Sequence, residues 1–122
     1  FLTDDTVGKE SLQVVALSLV INFCGDPSRR FQMLQRAWEV LAPGGIALVV
    51  LPRAVLDNSR RMTREHYRRV VRRAGFGVLA ERHTAKLSMF VHDKTDPDPD
   101  ASVLLEPNLH RKGANNFRIK PA

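Results

Sequence analysis

The sequence contains very little cysteine: Cys24 is the only one among its 122 residues. A lone cysteine excludes a disulfide framework, and the four histidines show no metal-ligand spacing with it. Long apolar runs are also missing, because the longest, Val14 to Phe23, is about half of the ~20 residues that a membrane-spanning helix needs. We therefore expect an intracellular protein with no metal site and no membrane segment.

Phosphate-binding glycine motifs are absent as well, since neither G-x-G-x-x-G nor a P-loop occurs in the sequence. Gly44-Gly45 precedes a strand and is interpreted as a turn. The chain begins with Phe1-Leu2, without an initiating Met and without a basic-then-apolar leader. We interpret it as an internal fragment of a longer protein.

Positive charge is in excess, with 19 Lys and Arg against 13 Asp and Glu and a net charge of +6. This excess favours an anionic partner such as nucleic acid. The densest basic cluster lies between Arg60 and Arg73, and Arg64, Arg68 and Arg72 repeat at the four-residue spacing of one helix face. A phosphate-contacting face and a merely solvated face both remain open.

The first half of the chain has the pattern of a βαβ unit. Val14 to Ile21 is a β-branched apolar run, typical of a strand buried on both faces of a parallel sheet. Asp26-Pro27 then opens a helix over 27–41, and Ile46 to Leu51 forms a second apolar strand. The helix face that packs on the sheet is predicted to contain Phe31, Leu34, Trp38 and Leu41.

The second half predicts one more helix and a pair of edge strands. Thr63 is a candidate N-cap, and Gly75-Phe76 has the pattern of a helix end. Residues 78–82 and 87–92 read as a short strand pair near the sheet edge. The fold class is therefore α/β, and ligands of such sheets bind beyond the carboxyl ends of the strands.

Two sequence stretches resemble class I S-adenosylmethionine-dependent methyltransferases. The run from Gln13 to Pro27 looks like their fourth strand and its following loop, and Leu41-Ala-Pro-Gly-Gly45 looks like the approach to their fifth strand. The resemblance implies the C-terminal half of a Rossmann-like methyltransferase that ends in an antiparallel edge strand pair. The glycine-rich cofactor loop of such enzymes lies upstream of this chain.

Shorter motifs resemble the large-subunit rRNA adenine-N1 methyltransferases. They are Ser18-Leu-Val-Ile-Asn-Phe23, Asn58-Ser59-Arg60, Met62-Thr63, Gly75-Phe76 and Asn115-Asn116-Phe117. We expect residues 1–93 to form the C-terminal half of the methyltransferase domain, 94–102 a Pro/Asp-rich loop, and 103–122 a C-terminal strand or tail of the same domain.

The resemblance implies S-adenosylmethionine as cofactor, rRNA as partner and a nucleolar or nuclear location. It places Phe1, Leu2, Ser18 and Leu19 at the cofactor and Asn22 and Phe23 at the target adenine. The residues expected to contact RNA are Asn58, Ser59, Arg60, Arg61, Arg64 and Arg68.

Plainer interpretations compete with these roles. Asn22 can be a turn residue that satisfies backbone groups, Phe23 a core aromatic, and Asn58 to Arg60 an Asx-type turn. Three other functions compete with an rRNA methyltransferase: a cofactor-binding sensor, as among animal relatives of the family; a small-molecule methyltransferase; and a non-catalytic RNA-associated assembly factor.

Overall fold

A computed structural model describes residues 8–94 and 111–121 of the chain. Phe1, Leu2 and most of the Pro/Asp-rich segment lie outside the described residues, so the structure does not test the predictions made for them. The described residues form one sheet with helices against it, around a single hydrophobic core.

The sheet has four strands in the order β1-β2-β4-β3. β1 and β2 are parallel, whereas β4 runs antiparallel to both β2 and β3. The predicted α/β fold with an antiparallel strand pair at its edge is confirmed, and β4 lies between β2 and β3. The strands are β1 (Leu12–Ser18), β2 (Leu41–Pro52), β3 (Ala80–His83) and β4 (Leu87–Asp93).

Helix α1 (Pro27–Val40) makes the crossover between β1 and β2. The Asp26 carboxylate accepts a hydrogen bond from the N–H of Ser28 at 2.9 Å, so the predicted N-cap is confirmed. Phe31 and Leu34 of the predicted apolar face are buried in the core. Burial of this face against the sheet is what holds α1 in place.

Strand β1 differs from its prediction. It ends at Ser18, and of its apolar side chains only Val15 and Leu17 are buried, while Val14 is 63% exposed. The expectation of burial on both faces is wrong within the described structure, because β1 is an edge strand there and one of its faces has no helix against it. The chain leaves the sheet at Leu19 and forms a 3₁₀ turn at Ile21–Phe23.

Strand β2 starts earlier than predicted and includes Gly44-Gly45 in its irregular first part. Gly44 has a φ of 79°, so the chain does bend there, and the register against β1 shifts at this point. The glycine pair lies at the amino end of the strand, opposite the edge where ligands of such sheets bind. The turn predicted before the strand is thus a bend within β2.

Helices α2 (Arg53–Asp57) and α3 (Arg64–Arg73) follow β2. The sequence predicted α3 but not α2, which occupies the expected polar loop. Thr63 caps α3 by accepting from the N–H of His66 at 3.0 Å. Gly75 ends the helix in a left-handed conformation, with a φ of 105°. Its N–H donates to the Arg72 carbonyl, and the N–H of Phe76 donates to the Val71 carbonyl.

A buried polar pair lies in the core between α3 and β4. The Tyr67 hydroxyl and His92 Nε2 are 2.9 Å apart, and His92 Nδ1 is 3.0 Å from the Gly77 carbonyl. A carbonyl only accepts, so Nδ1 carries the proton and Nε2 accepts from Tyr67. Burial lowers the pKa of His92 to about 4, which keeps the imidazole neutral at physiological pH.

The position of Gly75 leads to a stability prediction. A Cβ there would lie 2.4 Å from Nε1 of Trp38, and the backbone has a left-handed φ of 105°. We expect Gly75→Ala to lower the free energy of unfolding by about 2 to 4 kcal/mol, measured by urea denaturation. Gly25→Ala is the matched control, since nothing lies within 4 Å of its added Cβ. Equal stability of the two variants would contradict this account of the helix end.

The buried imidazole predicts a pH dependence of stability. Below pH 6.5 the histidine of the unfolded chain takes up a proton, whereas folded His92 resists protonation down to about pH 4. Stability therefore falls as the pH drops through this window, by a total of about 3 kcal/mol. The pKa of Glu81 is lowered to about 2, so its contribution to the free energy of unfolding is lost as the pH falls from 4.5 towards 2.

The measurement is urea unfolding at a series of pH values. We expect His92→Leu to flatten the slope of unfolding free energy against pH between 6.5 and 4. An unchanged slope in that variant would show that other groups cause the acid sensitivity.

Candidate active site

The candidate site lies where the parallel strands β1 and β2 end side by side. The N–H of Leu19 donates to the carbonyl of Val50 at 2.9 Å, which fixes the two strand ends against each other. Two connections start from this edge. We call residues 19–26 the first loop and residues 52–63, which include α2, the second loop.

The first loop begins with strained backbone. Leu19 has a φ of 58°, a left-handed conformation that costs a branched side chain of this kind about 1 to 3 kcal/mol. Such strain concentrates at functional sites, where the surrounding structure holds it in place. Ser18 just before it is exposed, and its hydroxyl contacts no polar group of the described residues. Nothing in the sequence pattern indicated the strain.

Asn22, in the 3₁₀ turn, has an unsatisfied side chain. Its Oδ1 is buried and has no hydrogen-bond partner within residues 8–94 and 111–121. A buried acceptor left without a partner costs about 1 to 3 kcal/mol, so the Asn22 oxygen is a costly feature of this turn. If Asn22 served only the turn, its oxygen would be paired with backbone; this observation favours the binding role.

Phe23 lies next to Asn22 and is 81% exposed. The alternative interpretation of Phe23 as a core aromatic is therefore wrong. An exposed aromatic ring at the ligand-binding edge of a sheet is suited to stacking on a planar ring. Whether Asn22 and Phe23 contact a target base stays a prediction.

Ser59 in the second loop is fully buried. Its hydroxyl donates to the carbonyl of Phe117 at 2.5 Å and accepts from the N–H groups of Arg61 and Met62. The side chain thus holds the loop, while neighbouring Asn58 and Arg60 are exposed. Asn58 and Arg60 are the members of this predicted RNA-contact motif whose side chains reach solvent.

Residues 111–121, here called the C-terminal segment, pack along the second loop. The Arg111 guanidinium donates to the carbonyls of Leu56, Ser59 and Met62 at 2.6, 2.7 and 3.1 Å. Asn115 donates from Nδ2 to the carbonyl of Ala54 at 3.1 Å. Sequence reasoning missed Arg111, because its partners lie about fifty residues away in the chain.

The same segment also holds the first loop. Arg30, buried at the start of α1, donates from Nε to the Cys24 carbonyl and from Nη1 to the Arg118 carbonyl, both at 2.7 Å. Its guanidinium lies 4.4 Å from the centroid of the Phe117 ring. Burial lowers the pKa of Arg30, but the group remains charged. The C-terminal segment therefore connects both loops of the candidate site.

Two arginines of the predicted RNA-contact set are held in ion pairs. Arg64 binds both carboxylate oxygens of Asp57 at 2.8 Å, and Arg68 binds both oxygens of Glu81. Burial disfavours the charged form of Asp57, yet hydrogen bonds from Arg64 and Arg53 outweigh it and lower the pKa of the carboxyl. The structure thus gives Arg64 and Arg68 roles within the fold. Arg61 is only partly exposed, and RNA contact by all three stays a prediction.

Within the described ranges, no group of three or more His, Cys, Asp or Glu side chains has the arrangement of a metal site. None of the helices described is both long and apolar enough to cross a membrane.

Comparison with known protein families shows which family this chain belongs to. Residues 2–119 match the model of the family described as 25S rRNA (adenine(2142)-N(1))-methyltransferase, Bmt2. The chain belongs to this family. The resemblance seen in the short sequence motifs is thereby confirmed, and S-adenosylmethionine is the cofactor of this family and fold. A search of curated protein sequences finds no match.

Solved structures similar to this chain are class I methyltransferases. A methyltransferase from Haloferax volcanii, solved with the Trm112 activator, is 14% identical with a TM-score of 0.62, over 78% of this chain and 59% of that one. The 1,6-didemethyltoxoflavin-N1-methyltransferase of Burkholderia thailandensis, solved with S-adenosylhomocysteine, is 14% identical with a TM-score of 0.65, over 75% of this chain and 48% of that one.

A third structure, a SAM-dependent methyltransferase from Thermotoga maritima, is 16% identical with a TM-score of 0.56, over 77% of this chain and 61% of that one. At these identities the likeness shows the fold, which is Rossmann-like. This chain spans less than two thirds of the length of each of the three proteins.

The contacts of Arg111 generate a prediction about the second loop. We expect Arg111→Met to remove donors from four carbonyls, those of Leu56, Asp57, Ser59 and Met62. The loss should speed amide hydrogen exchange in residues 56–62 and lower the free energy of unfolding by about 2 to 3 kcal/mol. Lys112→Met is the control, because Lys112 is exposed and its side chain contacts no polar group among the described residues. Exchange in the loop that stays as slow as in the control would rule out a clamping role for Arg111.

Proposed function

We propose that the protein containing this chain transfers a methyl group from S-adenosylmethionine to N1 of an adenine in large-subunit rRNA. The observation that carries the proposal is the unpartnered Oδ1 of Asn22 beside the exposed ring of Phe23, at the ligand-binding edge of the sheet. The family match over residues 2–119 supports the reaction and the substrate class. An rRNA substrate implies a nucleolar or nuclear location.

We propose that the cofactor binds at the end of β1. Exposed Ser18 offers a hydroxyl, and the left-handed backbone at Leu19 lies where the chain leaves the strand. When bound, S-adenosylmethionine would supply an electrophilic methyl group on a sulfonium: the nucleophile attacks the methyl carbon in line, the S–CH₃ bond breaks, and S-adenosylhomocysteine leaves. We propose that Ser18 and Leu19 line its methionine side.

The chemistry of N1 methylation defines the role that we propose for Asn22. The N1 lone pair of adenine is free at neutral pH, so the reaction requires positioning and no general base. Formation of the N–CH₃ bond makes the ring cationic, and the charge spreads to the exocyclic amino group. An Oδ1 acceptor on that amino group binds the charged transition state more tightly than the neutral base, which is the condition for catalysis.

We propose that Phe23 and the second loop form the part of the site that binds the RNA. The target adenine has to leave its stack, and the Phe23 ring offers a surface for the unstacked base. We propose that Asn58, Arg60 and Arg61 contact the RNA, and that Ser59 positions them from its buried site. Arg64 and Arg68 contribute positive charge behind them while paired to Asp57 and Glu81.

We further propose that residues 1–93 and the C-terminal segment belong to one methyltransferase domain, with the Pro/Asp-rich loop between them. The contacts of Arg111 and Arg30 support this arrangement, since they join the segment to both loops. Burial of Phe117 and Ile119 in the common core supports it as well.

A cofactor-binding sensor is the second candidate function. The pairing of Arg64 and Arg68 with carboxylates favours it, because it reduces the charge available to phosphates on α3. A sensor would bind S-adenosylmethionine and transfer no methyl group to RNA. The two functions therefore differ in a methylation assay and agree in cofactor binding.

Asn22→Ala in the full-length protein tests the proposed function. We expect its kcat for methylation of an adenine-containing rRNA hairpin to fall about tenfold to a hundredfold, because a hydrogen bond to a charged group is lost. Cofactor binding, measured by calorimetry, should not change. Ser18→Trp should abolish that binding by filling the proposed cofactor position at the end of β1.

The control variant is Gln32→Ala, on the exposed side of α1. Full activity of Asn22→Ala would remove Asn22 from the mechanism. Wild-type protein that binds the cofactor but leaves RNA unmethylated would favour the sensor.

A further inference from the structure

A cleft of about 420 Å³ opens between α2 and the turn that joins β3 to β4. Pro52, the last residue of β2, lines it, so the cleft lies at the same edge of the sheet as Asn22. The N–H of Arg53 donates to the Lys86 carbonyl at 2.8 Å and its Nη1 to the Thr84 carbonyl at 3.0 Å. These bonds tie the two walls together, so the cleft has a defined shape.

The cleft is positively charged. Its walls contain two cations, Arg53 and Lys86, and one carboxylate, Asp57. That carboxylate is already paired with Arg53 at 3.0 Å and with Arg64, which adds a third cation just behind the wall. The cleft therefore attracts anions, since its one negative charge is more than neutralised.

Donors without a protein partner point into solvent here. The Lys86 ammonium and the Asn58 amide are exposed and contact no polar group in the part of the chain that the structure describes. The Arg53 side chain is 43% exposed and uses Nε and Nη1 within the fold, so Nη2 has no partner among the described residues. A lysine and an arginine with spare N–H groups form a suitable pair for a phosphate.

We propose that this cleft binds a phosphodiester group of the RNA strand next to the target adenine, with Lys86 and Arg53 as its ligands and Asn58 at the adjoining nucleotide. The inference rests on the proposed function and adds a binding site for the RNA backbone beside the target adenine. When a base leaves its stack, the protein has to bind the neighbouring backbone on at least one side. The cleft provides such a binding site at the same edge of the sheet as Asn22.

The experiment measures binding of a fluorescein-labelled rRNA hairpin with an unpaired adenine to full-length protein and S-adenosylmethionine, at several salt concentrations. We expect Lys86→Gln to weaken binding about fivefold and to lower the slope of log Kd against log salt by about 0.7, the value for one single-strand phosphate contact. Lys86→Arg should restore both quantities. Lys9→Gln is the matched control, since Lys9 is an exposed lysine at the amino end of β1.

The outcomes separate the two proposals. Wild-type protein that methylates the hairpin, with Lys86→Gln equal to Lys9→Gln in affinity and salt slope, overturns the cleft proposal and leaves the proposed function standing. A weaker affinity with an unchanged slope also overturns it, because no phosphate contact was then lost. Wild-type protein that binds the cofactor but not the hairpin overturns the proposed function and the cleft proposal together.

Discussion

Two guanidinium groups that donate to backbone carbonyls hold together the edge of the sheet where chemistry is proposed. Arg111 binds carbonyls of the second loop, and Arg30 joins the first loop to the C-terminal segment. Loops carry unsatisfied backbone carbonyls, and a charged planar donor satisfies several of them at once. The position of both loops therefore depends on a stretch of chain that contributes no strand to the sheet.

A strained residue and an unsatisfied polar group lie close together at that edge. Leu19 has left-handed backbone and Asn22 a buried oxygen without a described partner, whereas the polar groups Tyr67 and His92 in the core satisfy each other. Folding alone favours removal of such features, because each costs about 1 to 3 kcal/mol. Their position beside an exposed aromatic ring is the physical argument for a binding role, independent of the family match.

Positive charge in this chain has two uses that composition does not distinguish. Arg64 and Arg68 balance carboxylates inside the fold, and Arg30 and Arg111 bind carbonyls. The Lys86 ammonium, by contrast, has no polar partner within the described ranges and borders a cleft. The exposed cations near the strand ends, Arg60 and Lys86, are therefore more available to a phosphate backbone than the paired Arg64 and Arg68.

Short sequence motifs identified the family. Local sequence alone determined the βαβ unit, the caps at Asp26 and Thr63, and the helix end at Gly75. These features depend on neighbours within a few residues, so short patterns encode them. Tertiary structure alone decided that β1 is exposed on one face, that Ser59 is buried and Phe23 exposed, and which arginines form ion pairs. Those outcomes depend on partners tens of residues away, such as Phe117 for Ser59, and a local pattern contains no information about a contact that only folding creates.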